Sequence, residues 1–319
     1  MTRYAIGVDI GGTKIAAGLV SEEGAVTAYR VAPTPVSAGA SAILSAALDL
    51  SRRVAAEGQG LDITCIGIGS AGEVDVARGV VTYASDNLPG WSGLALAEAF
   101  ERAVGLPAVA DNDVNALAIG ESRFGAGRGL RDVLYVAVGT GIGGAVMLDG
   151  RLRRGVHWAA GEIGHLIADW DGDRVCSCGC RGHLEAYASG PALAARYREL
   201  TLEEGQTSNV SGQQERAALD LRAVAARAAA GDALARRVIA EGAEILGICL
   251  GGLLDALDTE ALIIGGGVAE LGELWWRPLE RALRNNPLPG PAQVILRPAQ
   301  LAAQGVLIGA AWLALTRDT

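Results

Sequence analysis

The densest group of chemically reactive residues is a cluster of cysteines and histidines. Cys176, Cys178 and Cys180 lie within five positions, and two of the three histidines in the chain, His165 and His183, flank them. Thiolates and imidazoles at this spacing are typical of a tetrahedral zinc site. We predict a structural zinc ion held by His165, Cys176, Cys178 and His183, with Cys180 as the competitor for one position. The alternative is that the reduced cysteines only pack as small apolar residues.

Two carboxylates lie just outside this ligand set. Glu162 precedes His165 by three residues, and Glu185 follows His183 by two. A structural metal would fix the loop and thereby orient both carboxylates toward a bound ligand.

Three glycine-rich strings are candidates for nucleotide binding, because glycine lets backbone N–H groups approach a phosphate. Residues 9–14 read DIGGTK and include the only lysine of the chain, residues 139–144 read GTGIGG, and glycines occupy 265–267. The second string has the form of a dinucleotide fingerprint, but the residues after it predict a strand rather than a helix, which excludes a Rossmann site. For the first and third strings taken alone, the alternative is a turn without a ligand.

A fourth string, DNDVN at residues 111–115, opens a predicted helix. A single Asp there would be explained as a helix cap. Two carboxylates and two amides exceed that need, and Asp113 beside Asn112 suits a general base next to an amide that binds a hydroxyl. Capping and catalysis both stay open from these residues alone.

These strings lie at the ends of predicted elements, whose order restarts near residue 133. In the first half we predict strands at 4–8, 15–20, 25–31, 63–68 and 107–110, and helices at 40–56, 94–104 and from 113. In the second half we predict a strand from 133, strands at 145–148, 261–264 and 293–296, a long helix, a helix ending near 284 and a last helix at 302–315. Both halves begin with a strand, a Gly/Thr turn and a strand, which predicts a duplicated α/β fold.

The predicted domains are a small N-terminal α/β domain, 1–117, and a large α/β domain, 118–301, that carries the zinc-binding loop. We expect the C-terminal helix, 302–319, to pack on the small domain.

Composition narrows the class of partner. The 319 residues carry a net charge of −9 and are 50% hydrophobic, which is typical of a soluble, core-forming protein. The negative charge disfavours nucleic acid and membrane surfaces, and the N-terminal residues lack a secretory signal, so we expect a cytoplasmic protein that binds a small molecule.

Taken in order, the four strings and the cysteine cluster resemble the ROK family (repressor, open reading frame, kinase) over nearly the whole chain. The resemblance implies an actin-like, hexokinase-type fold: two ribonuclease-H-like α/β domains with an interdomain cleft. The family's cysteine pattern, CxCGxxGCxE, has a cysteine where this chain has His183, and Cys180 is an additional cysteine.

The resemblance also implies residue roles, with Asp113 as the general base. The implied sugar ligands are Gly72, Asn112, Asp113, Glu162, His165 and Glu185. The implied ligands of ATP and Mg²⁺ are Asp9, Gly11, Gly12, Thr13, Lys14, Gly139, Thr140, Gly141, Gly266 and Gly267.

The implied activity is ATP-dependent transfer of the γ-phosphate to the 6-hydroxyl of a hexose. Residues 87–91, NLPGW, resemble the family's glucokinases and favour D-glucose. The alternatives are an N-acetylhexosamine (GlcNAc or ManNAc) kinase, a fructose, mannose or allose kinase, polyphosphate as donor, and a non-catalytic sugar sensor. Because family members are often dimers or tetramers, we expect a homodimer or homotetramer.

Overall fold

The computed structural model describes residues 2–203 and 219–317. Its first seven strands are β1 (Arg3–Ile10), β2 (Lys14–Ser21), β3 (Val26–Pro33), β4 (Asp62–Ser70), β5 (Glu73–Asp75), β6 (Val80–Tyr83) and β7 (Ala108–Asn112). Five of them form a sheet in the order β3-β2-β1-β4-β7, and β5 and β6 form a separate hairpin. The predicted loop between residues 70 and 90 therefore contains this hairpin, whose strands are too short for a clear alternating pattern.

Strand direction explains why polar residues meet at one edge of the first sheet. β1 is parallel to β4, and β4 is parallel to β7, so their carboxyl ends share an edge. Ile10, Ser70 and Asn112 are in register there. The DIGGTK turn, the start of the hairpin segment and the DNDVN string are therefore brought side by side.

In the described part of the chain, the α-helices are α1 (Ala40–Glu57), α2 (Leu96–Val104), α3 (Asp113–Phe124), α4 (Glu185–Ala188), α5 (Gly190–Glu203), α6 (Leu221–Ala229), α7 (Ala233–Leu257), α8 (Glu273–Asn285) and α9 (Gly305–Leu315). The buried face of α1, which includes Ile43 and Val54, joins the larger apolar cluster of the first sheet. Leu307 and Ala311 of α9 pack in a second cluster against β1 and β2. A Cβ on Gly67 of β4 would lie 1.8 Å from the carbonyl oxygen of Ala310, so the helix rests directly on the strand.

The second sheet repeats the first. Its strands are β8 (Val133–Val138), β9 (Ile142–Leu148), β10 (Arg151–Arg153), β11 (Ala261–Gly265) and β12 (Ile295–Pro298), in the order β10-β9-β8-β11-β12. When only the strands of each sheet are counted, both sheets have the order third, second, first, fourth, fifth. The duplicated α/β fold predicted from the two strand-turn-strand strings is confirmed.

Contacts between Cα atoms divide the chain into two compact units. One consists of Met1–Tyr135, Gly144–Gly161 and Arg297–Thr319, and the other of Val136–Gly143 and Glu162–Leu296. The domain boundary at 117 stays a prediction, and residues 318 and 319 of the predicted last helix lie outside the described residues. None of the helices within 2–203 and 219–317 combines the length and apolar content needed to cross a membrane.

Candidate active site and metal centre

The first glycine turn, residues 11–13, joins β1 to β2. The N–H of Gly11 donates to the carbonyl of Lys14 at 3.1 Å, and the hydroxyl of Thr34 donates to the carbonyl of Gly11 at 2.6 Å. Neither Gly11 nor Gly12 has a left-handed φ, and a Cβ on either would meet its nearest neighbour at an ordinary 3.5 Å. The turn itself therefore does not require glycine, whereas the close approach of a phosphate to bare backbone would.

Asp9, the penultimate residue of β1, is 8% exposed. Burial raises its pKa from 3.8 to about 7, with a further rise from the charge of Asp113 and an opposing effect from Lys14. Two carboxylates thus interact at this edge with one lysine nearby. A divalent cation would relieve that excess of negative charge, so the residues fit a magnesium site.

Asn112 ties the end of β7 to α3 and to the segment after β4. Its Oδ1 caps the helix by accepting the N–H groups of Val114 at 2.8 Å and Asn115 at 3.0 Å, and its Nδ2 donates to the carbonyl of Gly72 at 3.0 Å. Gly72 has a φ of +95°, and a Cβ there would lie 2.4 Å from the carbonyl oxygen of Tyr83. Asn112 keeps one amide hydrogen for a ligand.

The structure separates the two aspartates of the DNDVN string. Asp111 is fully buried, and one of its oxygens accepts from Arg154 at 2.7 and 2.8 Å. Its other oxygen accepts from the amide of Asn115 at 3.0 Å. Asp113 instead begins α3, is partly exposed, and accepts the N–H of Val114 at 2.9 Å. Asp111 is thereby occupied by structural contacts, while Asp113 is accessible to a substrate.

Arg154 is a site residue that the sequence analysis missed. It lies 43 residues after Asp111, and four other arginines fall between residues 128 and 153. No local spacing distinguishes the arginine that pairs with a buried carboxylate, so only the folded chain reveals the pair.

The second glycine turn, residues 139–141, joins β8 to β9. The N–H of Gly139 donates to the carbonyl of Gly141, and the N–H of Gly190 donates to the carbonyl of Gly139, both at 2.9 Å. A Cβ on Gly139 would meet nothing within 4 Å, whereas a Cβ on Gly141 would lie 2.5 Å from Oε2 of Glu185. Gly139 is therefore open to a ligand, and Gly141 makes room for a carboxylate of the protein.

The two glycines predicted to lie near the nucleoside also differ from each other. Gly266 has a φ of +92°, and a Cβ there would lie 2.3 Å from the carbonyl oxygen of Val138. Gly267 would meet nothing within 4 Å. Gly266 is explained by the packing of β11 against β8, and Gly267 provides the open backbone.

Glu185, the first residue of α4, has a hydrogen-bond partner on each carboxylate oxygen. Oε2 accepts the N–H of Ile142 at 3.0 Å, at the end of the second glycine turn. Oε1 accepts the hydroxyl of Ser177 at 2.6 Å and is 3.6 Å from the thiol of Cys176. Ser177 was not among the predicted site residues, because a serine between two cysteines has no distinctive spacing of its own.

His165 has one ring nitrogen toward Glu162 and the other toward the cysteine cluster. Its Nε2 is 3.5 Å from Oε2 of Glu162, and its Nδ1 is 3.2 Å from Nδ1 of His183. The hydrogen bond with Glu162 raises the pKa of His165 from its usual 6.5 to about 9. A metal on Nδ1 would displace the proton there and leave Nε2–H on the carboxylate, the usual pairing of a ligating histidine.

The four predicted metal ligands converge. One donor atom each from His165, Cys176, Cys178 and His183 lies within 4.8 Å of all the others. The sulfur of Cys176 is 3.6 Å from Nδ1 of His165, and that of Cys178 is 3.2 Å from Nδ1 of His183. Zinc bonds of about 2.3 Å to sulfur and about 2.0 Å to nitrogen place tetrahedral neighbours roughly 3.3 to 3.8 Å apart, so the donor set fits zinc.

Cys180 does not belong to this group of four. It is exposed, and its carbonyl accepts the N–H of Cys176 at 2.8 Å. The backbone of Cys180 thus closes the turn that carries the cysteines, while its thiol faces solvent.

Comparisons with known proteins cover almost the whole chain. The sequence profile of the ROK family matches residues 5–317. A glucokinase from Streptomyces coelicolor is 37% identical over 98% of both chains, and an N-acetylmannosamine kinase from Citrobacter koseri is 33% identical over 97% of this chain and 98% of the other. A ROK family glucokinase from Streptomyces griseus, solved in complex with glucose and AMPPNP, superposes with a TM-score of 0.85 at 37% identity over 98% of this chain and 99% of the other.

The duplicated sheets and the structural match define an actin-like, hexokinase-type protein with ribonuclease-H-like α/β domains. The chain belongs to the ROK family. The resemblance stated from the sequence is thereby confirmed, as is the fold that it implied.

Proposed function

We propose that this protein is an ATP-dependent sugar kinase that transfers the γ-phosphate of ATP to the 6-hydroxyl of a hexose, with D-glucose as the substrate. The proposal is carried by the match along 98% of the chain to a glucokinase solved with glucose and AMPPNP. The chain's own residues support it independently, because Asp113 and the two glycine turns are the groups that phosphoryl transfer requires.

Asp113 is the general base. Its position as the first residue of α3 places the carboxylate where the helix dipole stabilises the ionised form, which must accept the proton of the sugar hydroxyl. Asn112, the N-cap residue of the same helix, directs its remaining amide hydrogen to a sugar oxygen. Gly72, whose carbonyl is held by Asn112, places backbone beside the sugar.

Glu162, His165 and Glu185 bind the other hydroxyls of the sugar. The carboxylates accept hydrogen bonds from hydroxyl donors, and His165 uses the nitrogen that faces Glu162, because the other nitrogen faces the metal group. With this division, one imidazole would serve both predicted roles.

The phosphates of ATP lie against the open backbone of the first and second glycine turns. Thr13, Lys14 and Thr140 add the side-chain contacts, and Gly267 receives the nucleoside beside Gly266. Asp9 would hold Mg²⁺, which would supply charge neutralisation for the transferred phosphoryl group. The remaining task of the protein is alignment of the donor and the hydroxyl.

Zinc has a structural role in this proposal. With four protein ligands no position is open for catalysis, and the ion would hold the loop that carries Ser177 and leads to Glu185. Purified protein is expected to contain about one zinc per chain, and less than about half an equivalent would contradict the site. Cys178→Ser should lose the metal, and Cys180→Ser, outside the group of four, is the matched control that should keep it.

The substrate is tested by ADP release with Mg-ATP across glucose, mannose, fructose, allose, N-acetylglucosamine and N-acetylmannosamine. We expect the highest kcat/KM with glucose. The similarity to an N-acetylmannosamine kinase supports the second candidate, and a preference for that sugar would replace glucose. Polyphosphate in place of ATP tests the donor, and absence of turnover with every pair would favour a non-catalytic sugar sensor.

A cytoplasmic location and a homodimer or homotetramer complete the proposal, as does the absence of nucleic-acid and membrane partners. Sedimentation velocity at two concentrations measures the oligomeric state.

A further inference from the structure

The hydroxyl of Ser177 contacts the carboxylate of Glu185, which belongs to a separate element, α4. It donates to Oε1 of Glu185 at 2.6 Å, across eight residues of chain. A hydrogen bond to an ionised acceptor is shorter and about twice as strong as one between neutral groups. This contact therefore has more energetic weight than an ordinary serine hydrogen bond at a partly exposed position.

The other carboxylate oxygen of Glu185, Oε2, is held by the backbone. Oε2 accepts the N–H of Ile142 at 3.0 Å, and it occupies the space that a side chain at position 141 would fill. With one oxygen on the backbone and the other on a hydroxyl, the carboxylate plane has a single orientation. Loss of either partner would let it rotate about its last torsion, which is broad for glutamate.

The thiol of Cys176 can donate to Oε1 of Glu185 only while it carries a proton. The thiol of Cys176 is 3.6 Å from that oxygen, but a cysteine that ligates a metal is a thiolate and has no proton to donate. Ser177 therefore remains the donor to Oε1 whether or not the loop holds its metal.

We infer that Ser177 is a positioning residue for sugar binding, which acts by holding the Glu185 carboxylate in the orientation that accepts a hydroxyl of the hexose. The inference rests on the proposed function, since it takes Glu185 as a ligand of the sugar. Ser177 touches neither the sugar nor ATP in this account, and its effect passes entirely through Glu185.

The test compares Ser177→Ala with Ser177→Thr, which keeps the hydroxyl. We expect Ser177→Ala to raise the KM for glucose about tenfold, the size of one charge-assisted hydrogen bond, while the KM for ATP changes less than about twofold. Ser177→Thr should restore the KM for glucose to within about threefold of the parent value. Asp173→Ala, an exposed change in the same loop, is the matched control and should leave both constants unchanged.

A double-mutant cycle with Glu185→Ala, which removes both acceptor oxygens, tests whether the effect passes through Glu185. In the Glu185→Ala background, Ser177→Ala should change the KM for glucose less than about twofold. Equal effects in both backgrounds would overturn the inference, as would an unchanged KM for glucose in Ser177→Ala itself.

Zinc content and thermal stability separate positioning from damage to the loop. Ser177→Ala should retain the parent zinc content and melting temperature. Loss of zinc together with equal increases in both KM values would assign Ser177 a merely structural role and overturn the inference. If the parent protein does not phosphorylate glucose at all, the proposed function fails. If the parent is active and Ser177→Ala behaves like it, only the inference about Ser177 fails.

Discussion

The two glycine turns occupy the same place in two sheets of the same strand order, but they are built differently. At the first turn, Cβ atoms on Gly11 and Gly12 would make ordinary contacts, and the acidic group, Asp9, lies in the preceding strand. At the second turn, Ala137 has the corresponding penultimate position in β8, and the acidic group, Glu185, comes from a separate helix and packs against Gly141.

This difference shows how a duplicated fold can divide its work. The first turn combines open backbone with a buried carboxylate whose charge favours a cation. The second turn combines open backbone at Gly139 with a carboxylate held by two hydrogen bonds. A similar division holds at the fifth strands, because β7 ends in Asn112 and leads to Asp113, while β12 ends in Pro298.

The largest effect is expected at Asp113, which follows the fifth strand of the first sheet and has no acidic counterpart after the fifth strand of the second. Asp113→Asn should lower kcat by about 10² to 10⁴, the usual range for removal of a general base, with little change in the KM for glucose. The amide oxygen can still accept the N–H of Val114, so the melting temperature should not change. Asp62→Asn, at the opposite end of β4, is the control. Turnover above about a tenth of the parent value would exclude Asp113 as the base.

The next effect concerns the ion pair between Arg154 and the buried Asp111. Arg154→Met leaves the fully buried Asp111 carboxylate without its cation, and we expect a loss of about 3 kcal/mol in the free energy of unfolding. Urea denaturation measures it, with Arg151→Met on the exposed part of β10 as control. A loss below about 1 kcal/mol would mean that the pair does not stabilise this strand end.

Asp9 should make folding stability depend on pH, in the direction opposite to that of most carboxylates. The pKa of Asp9 is about 7 in the folded chain, against an ordinary value of 3.8. The folded state therefore retains the proton over this interval, and stability decreases as pH rises through it. Asp9→Asn removes this dependence. Without Mg²⁺, the variant's advantage in unfolding free energy should increase by about 2 to 3 kcal/mol between pH 5 and pH 8. A constant difference across that range would contradict the raised pKa.

The smallest effect compares glycines within the second turn. Gly141→Ala places a methyl group against Glu185, and we expect a loss of about 1 to 3 kcal/mol in stability and a higher KM for glucose. Gly139→Ala meets no protein atom within 4 Å, so its stability should be unchanged while the KM for ATP rises. Thermal unfolding and initial rates distinguish them. Equal loss of stability in both variants would mean that the turn itself requires glycine at both positions.

Much of the architecture is readable from local pattern. The repeated strand-turn-strand strings predicted the duplication, because a strand, a tight glycine turn and a second strand leave a distinctive short-range signature. The boundaries of β1, β2, α1 and α3 differ from the predicted ones by one or two residues at most ends. The hairpin β5–β6 was missed because three- and four-residue strands have too few positions to show a period.

The sequence predicted which residue types form the site better than it predicted which of these residues contact each other. The cysteines and histidines lie within 19 residues of each other, so their chemistry and spacing alone indicated one metal group. The roles within the DNDVN string were not separable, since Asp111 and Asp113 have the same chemistry and only burial and the distant Arg154 distinguish them.

The sequence by itself determined the class of fold, the family and the set of groups available for phosphoryl transfer, because these depend on residue type, order and short-range spacing. Tertiary structure alone decided which aspartate is buried in an ion pair, which nitrogen of His165 faces the metal group, and which glycine makes room for Glu185. The physical reason is that burial, pairing and orientation depend on residues far apart in the chain. Ser177, eight residues from the carboxylate that it holds, acquires its partner only when the loop folds back on α4.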